Sequence, residues 1–337
     1  MRTPSAQAQI LADELLFPAA IEVDRTGAVP DSHWDRLAAD GFYALAAPPE
    51  VGGPGLQFPE ILAVVETMAG GCLATTFTWI QHHGVVLGLA GSPNAALREE
   101  LLADLAAGRV RGGVAFAGVV PDPPRMTAVR TDGGWLLSGI APFVSGWGIV
   151  HVLQISTGDV ETGDVVHAIV PAQEQPGMTV QPLELVAADA TSTVMLRVEN
   201  LFVPDEKVVA KVPRKAFLAG LTFGGRINAA VPTGLVRRCI RLLGDSPVAK
   251  RFQDDLDAVV ARLDASLADP PTMLPARTAI NELALRAAAA LVTAGGGPSL
   301  LRTAHAQRLA REALFTLVAA SRPELKQALL QRLAGDA

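Results

Sequence analysis

Few side chains in this 337-residue sequence stand at spacings that could do chemistry. His82 and His83 are adjacent, and an imidazole is the side chain best matched to taking a proton near neutral pH. Neighbouring residues on a helix diverge by about 100°, so at most one of the two is expected to face a site, with a core or interface place open to either. Asp254, Asp255 and Asp257 form an acidic trio, expected in the first turn of a helix, where carboxylates suit the dipole better than they make a metal site. Cys72 and Cys239 are too few and too far apart in sequence for a disulfide framework or a thiolate centre. They read as buried thiols in a reducing, cytoplasmic setting, and no metal is expected. The stretch Ala319-Ala320-Ser321-Arg322-Pro323, between two amphipathic runs, holds nothing that takes a proton near neutral pH.

The elements that must position these residues fall into three zones. Half of the residues are hydrophobic, 18% are charged, and the net charge is −6. That balance argues against a polyanion-binding surface, so no nucleic-acid partner is expected. No apolar run reaches the ~20 residues that span a bilayer, and the amphipathic opening does not form a signal core, so no membrane role is expected. Helix-period patterns occupy residues 1–109, among them NAALREELLADLAAG, for which Ser92 is the expected cap and Pro93 the first-turn residue. Residues 110–210 carry short alternating runs such as GWLLSG, VVHAIVP and TVMLRVENLFVP, with DGG at 132–134 as a hairpin turn. Helical patterning returns over 211–337, where Pro232 is expected to kink the first long helix. The fold class is therefore α+β multidomain: an N-terminal α-helical domain, a middle antiparallel β-barrel or sandwich, and a C-terminal four-helix bundle. Without βαβ alternation or a G-x-G-x-x-G spacing, a Rossmann domain is excluded.

Four segments, in order, carry a resemblance to the acyl-CoA dehydrogenase family. GFYALAAPPEVGGPGLQFPEILAVVETMA is similar to its turn P-E-x-x-G-G-x-G and following helix. GWLLSGIAPFVSGWGIVHVLQIS resembles the strand pair beside the flavin, and LRVENLFVPDEKVV the exit from the β domain. GGGPSLLRTAHAQRLAREA resembles the bundle segment that ends in R-D-A. The resemblance implies bound FAD and oxidation of an acyl-CoA at its α,β carbons, with a carboxylate removing the α-proton.

Residue by residue, it implies that Phe143 covers a face of the isoalloxazine and that the Ser145 hydroxyl bonds near its N5. Gly118 takes the first place of the loop T-E-P-x-A-G-S-D, whose hydroxyl positions are lost to Gly118 and Pro124. Gly296 and Gly297 permit close backbone approach at a cofactor edge. Counting from Arg311-Glu312-Ala313, the family's base falls on Ala320. The minority position, just before Arg226, falls on Gly225. Alanine and glycine accept no proton, so the usual base is absent from both places. His82 and His83 are the remaining candidates for a substitute; Glu66 reads as a structural helix residue and Glu312 as an arginine partner. The family's R-x-x-F-G loop between the first two bundle helices is missing. Three functions follow as expectations: a flavoenzyme acting on an acyl thioester with a non-standard base, a non-catalytic subunit paired with an active paralogue, or a flavin-dependent monooxygenase-like relative. The apolar bundle surfaces imply a homo-oligomer or a hetero-oligomer.

Overall fold

The computed structural model describes residues 3–335, so the first two residues of the expected N-terminal domain and the last two of the bundle lie outside it. Six helices come first: α1 Pro4–Leu11, continued through a π-turn at Ala12–Leu16 into α2 Phe17–Thr26, then α3 Asp31–Ala39, α4 Phe58–Gly71, α5 Leu73–Ala90 and α6 Ala95–Ala106. A capping box starts α4: the Gln57 N–H donates to Glu60 Oε2 at 2.8 Å, and Pro59 sits in the first turn, where a missing N–H loses no bond. Helix α6 is capped by Asn94, not by Ser92. Asn94 Oδ1 accepts from the Leu97 N–H at 3.1 Å, while its Nδ2 donates to the Glu206 and Val208 carbonyls, each at 3.0 Å. The cap lies two residues later than expected because Asn94 there also ties the helix to the end of the β region.

The middle region is one open sheet built from β1 Gly112–Ala115, β2 Met126–Thr131, β3 Gly134–Val144, β4 Val152–Asp159, β5 Val165–Pro171, β6 Met178–Pro182, β7 Val194–Pro204 and β8 Val208–Val212. The strand order is β6-β7-β3-β2-β4-β5-β8, with β1 beside β4. The expected hairpin at Asp132-Gly133 joins β2 to β3. The sheet is mixed, since β1 and β2 each run parallel to β4 while the other pairings are antiparallel. Residues 145–151 cause this: they carry the chain over β2, so β4 pairs with β2 from the far side instead of forming a hairpin with β3. Register shifts between β3 and β7 fall at Leu137/Gly139 and at Ala141/Val144. Phe143 lies within the second shift with φ 54°, and such a bulge turns a side chain off the sheet's regular alternation.

The bundle is α7 Arg214–Leu243, α8 Pro247–Ala265, α9 Met273–Gly295 and α10 His305–Val318, with a fifth helix, α11 Pro323–Ala334, laid on α9. Only three residues link α7 to α8, as the missing loop implied. The Ser246 hydroxyl caps α8 by accepting from the Ala249 N–H at 3.1 Å, so the acidic trio lies in the middle of this helix, not in its first turn. There Asp255 meets Arg286 of α9 at 3.4 Å. Helix α7 continues through Pro232, which withholds the hydrogen bond that the Asn228 carbonyl would otherwise receive. Helices α4 and α7 touch backbone to backbone: a Cβ on Gly234 would fall 2.1 Å from the Glu66 carbonyl oxygen, and one on Gly70 would fall 2.9 Å from that of Gly234. No described helix is long and apolar enough to cross a membrane.

Candidate functional site

Gly225 and Ala320, the two places where the resemblance puts a base, are brought together by α7, α9 and the α10–α11 turn. Arg277 of α9 is buried between them. Its Nη1 donates to the Gly225 carbonyl and its Nη2 to the Ala319 carbonyl, both at 3.3 Å, while its Nε–H is buried without a partner. Beside it runs a crevice with no room for a water molecule, lined by Phe77, Asn228, Val231, Pro232, Arg277, Thr316 and Ala319. Ala320, in the left-handed region at φ 49°, is exposed at the turn next to it. Burial, with the Arg322 cation nearby, lowers the Arg277 guanidinium to about 10, which still leaves it charged at neutral pH.

Arg226, the residue after Gly225, points away into the core. Its Nη2 meets Glu66 Oε1 at 3.2 Å and its Nε meets Asp264 Oδ1 at 2.7 Å. Glu66 also accepts from Arg237, so it is the structural helix residue the sequence implied. Glu312 pairs with Arg308 at 2.5 Å, both buried. Gly225 itself is free to carry a side chain, because a Cβ there would meet only the flexible Met273 side chain, at 3.2 Å.

Neither histidine reaches the cleft. Helix α5 exposes only a narrow stripe at Gly84 and Leu87, and His82 and His83 lie off it, so both are buried in the core, the place the sequence left open to either. His82 Nδ1 accepts from the Gly112 N–H at 3.0 Å, and its ring stands edge-on to Tyr43 at 4.8 Å. His83 stands edge-on to Trp79 at 4.7 Å, with neither ring nitrogen bonded. Burial pushes His82 down to about 4 and His83 well below its usual value, so both are neutral core rings.

All six histidines are lowered, with burial the first cause in each. Above pH 6.5 these rings are neutral folded and unfolded. Between 6.5 and about 4 the unfolded chain binds protons that the folded chain refuses, so stability is lost as the pH falls. A ring moved to about 4, as His82 is, contributes on the order of 3 kcal/mol to that loss by pH 4. Urea unfolding is expected to show a steep decline in midpoint from pH 7 to pH 5; a flat profile would contradict it.

Around the expected flavin face the geometry divides. Phe143 is 65% exposed, as a platform for a planar ring requires. Gly296 and Gly297 are exposed, and a Cβ on either would meet nothing within 4 Å. Ser145, by contrast, is buried, and its hydroxyl is 2.7 Å from that of Thr193, which is itself 2.7 Å from the Thr191 hydroxyl. The turn that lifts Phe143 outward turns Ser145 inward, so Ser145 does not present its hydroxyl to the open face. Gly118 is also internal: a Cβ there would fall 2.3 Å from Met126 Cγ and 2.7 Å from the Ile140 carbonyl oxygen, so packing explains the glycine. The loop after it is clamped by Arg214, which donates to the carbonyls of Val119, Val120 and Pro121 at 2.9–3.0 Å.

Arg277 is the residue that sequence reasoning missed. Its one signal was an arginine in the run ARTAINELAL, where Ala276, Thr278, Ala279, Ile280 and Asn281 around it prove to be buried.

Comparison with known proteins bears on the fold and on the N-terminal region. The family model described as Acyl-CoA dehydrogenase, N-terminal domain, matches residues 5–109. The mitochondrial 2-methylacyl-CoA dehydrogenase of Solanum tuberosum is 25% identical over 245 residues, 69% of this chain and 59% of that protein, so the chain spans under two thirds of that relative's length. Among solved structures, one described as the electron transferring flavoprotein of Acidaminococcus fermentans superposes with a TM-score of 0.85 at 17% identity, covering 98% of this chain and 96% of the other. KijD3, in complex with FMN and a dTDP-linked amino keto sugar, superposes with a TM-score of 0.79 at 20% identity, covering 100% and 95%.

Proposed function

Because this chain belongs to the acyl-CoA dehydrogenase family, we propose that it binds FAD and an acyl-CoA or related thioester without removing the thioester's α-proton by a resident base. The observation that carries this reading is the cleft lining, which contains no carboxylate and no imidazole. An amide, a hydroxyl and a guanidinium take no proton near pH 7. Phe143 offers the flavin ring its platform, and the open backbone at Gly296 and Gly297 lets a cofactor edge approach. Bound there, a flavin supplies a two-electron acceptor; the chain's own residues position ligands and do not abstract a proton.

The test is an absorption spectrum of the purified protein, followed by anaerobic addition of acyl-CoA thioesters. A yellow protein that binds thioesters and keeps its colour is the expected result. Bleaching would reveal a base elsewhere and defeat the reading. A colourless protein that takes up no flavin would leave the non-catalytic subunit. Exposed Leu300, Leu301 and Val318 on the bundle support association with a second copy or a paralogue in either case.

Phe143→Ala is expected to weaken FAD binding at least about tenfold, the loss of one stacked aromatic face, while leaving folding intact because the ring is exposed. Titration followed by flavin fluorescence measures it, and unchanged affinity would show that Phe143 is not the platform. A second reading is a monooxygenase-like relative acting on a ligand other than a thioester, which needs no base for an α-proton; KijD3, of like fold, holds FMN and a dTDP-linked sugar instead of a thioester. Preferential binding of a dTDP-sugar over every acyl-CoA would favour it.

A further inference from the structure

Four arginines are buried among the described residues, and three have a carboxylate beside them: Arg226 has Glu66 and Asp264, Arg238 has Asp13, and Arg308 has Glu312. Arg277 has none. It is 6% exposed, its Nε–H is unbonded, its two other contacts are 3.3 Å bonds to neutral carbonyls, and the nearby Arg322 repels it. A buried cation without a counter-charge is costly, and proteins rarely keep one that nothing neutralises. The two residues whose carbonyls hold it are Gly225 and Ala319, so a glutamate at 225 or 320 would bring an anion to its side. Neither is present, and the cation lines a crevice with Phe77, Val231 and Pro232, where Asn228 and Thr316 are the other polar side chains and neither carries charge.

We propose that this cleft is an anion subsite in which the Arg277 guanidinium takes the carboxylate of a short apolar chain. The ligand class is a short dicarboxylic acid or its monothioester. Its chain lies along Phe77 and Val231, and its carboxylate replaces the two long carbonyl contacts with a paired, charge-assisted bond. Entry is at the turn where half-buried Ala319 meets exposed Ala320, which must move to admit the chain, since the crevice as it stands is too narrow for water. The monothioester form rests on the function proposed above; the free acid does not.

Calorimetric titration of the purified full chain with glutaryl-CoA, pentanoyl-CoA and free glutarate separates the two. The two thioesters share a five-carbon acyl chain, and only glutaryl-CoA ends in a carboxylate. Glutaryl-CoA is expected to bind at least about tenfold tighter than pentanoyl-CoA. That gap should vanish in Arg277→Met and return in part in Arg277→Lys, which keeps the charge but loses the planar fork. Glutarate should raise the melting temperature of the unaltered protein and not that of Arg277→Met; should that variant not fold, Arg277→Lys carries the comparison. Equal binding of the two thioesters would overturn the subsite while leaving thioester binding in place. Binding of neither thioester, with glutarate stabilisation that depends on Arg277, would uphold the subsite and defeat the thioester reading. No response to any of the three would overturn both.

Discussion

Ala320→Glu is expected to raise the rate of α-proton exchange on a bound acyl thioester by about 10²- to 10⁴-fold, the usual contribution of one positioned general base. The backbone at 320 already lies at φ 49°, and alanine carries that conformation now, so a longer side chain adds no new backbone clash. Ala320 follows Ala319, which lines the cleft, so a glutamate there stands at the edge of the cleft. Incorporation of solvent deuterium at the α-carbon, read by mass spectrometry, measures the effect without relying on any flavin signal. Arg277 works against part of the gain, because a cation beside a carboxylate lowers its pKa and weakens it as a base. The double variant Ala320→Glu/Arg277→Met should therefore exchange faster than Ala320→Glu alone. A variant that binds thioester but exchanges no faster would show that the α-carbon does not lie at this turn.

Glu66→Ala is expected to destabilise the protein by about 3–5 kcal/mol, the cost of leaving a buried charge without its partner. Glu66 is one carboxylate serving Arg226 and Arg237, and Arg226 is only 2% exposed. The pair pins α4 to α7 where Gly70 and Gly234 let the two backbones meet, so nothing larger can relax into the gap. Asp264 remains for Arg226, but its side chain is 54% exposed and neutralises less effectively. Urea unfolding measures the loss. Glu66→Leu combined with Arg226→Met removes both charges and should recover most of the stability, since an apolar pair of similar volume is often as stable as a buried ion pair. Additive losses in that double variant would mean that the side chains contribute packing rather than charge.

These two expectations separate what could be read along the chain from what could not. The order helical, β, helical again followed from periods of 3.6 and 2 and from punctuation by glycine and proline, all local signals. That Gly225 and Ala320 take no proton also followed from residue identity alone, since no folding gives alanine or glycine a proton acceptor; that a base is expected there came from the resemblance. Local reading failed where a competing contact was distant. The cap of α6 moved from Ser92 to Asn94 because Asn94 bonds to Glu206 and Val208, more than a hundred residues away. Both histidines went inward because Tyr43 and Gly112 pack on His82, and the exposed stripe of α5 runs through Gly84 and Leu87 instead; Ser145 turned from the flavin face because a register shift against β7 lies just before it.

The sequence by itself thus determined the layers and that Gly225 and Ala320 accept no proton, because side-chain chemistry and helical or strand period belong to each residue and its near neighbours. Only the tertiary structure decided that a cation lies between these two places. Arg277 meets Gly225 and Ala319 across 52 and 42 residues of chain, and whether a buried charge has a partner is a property of such distant neighbours. An unpaired guanidinium is defined by what folding brings beside it, and that decides what this cleft can bind.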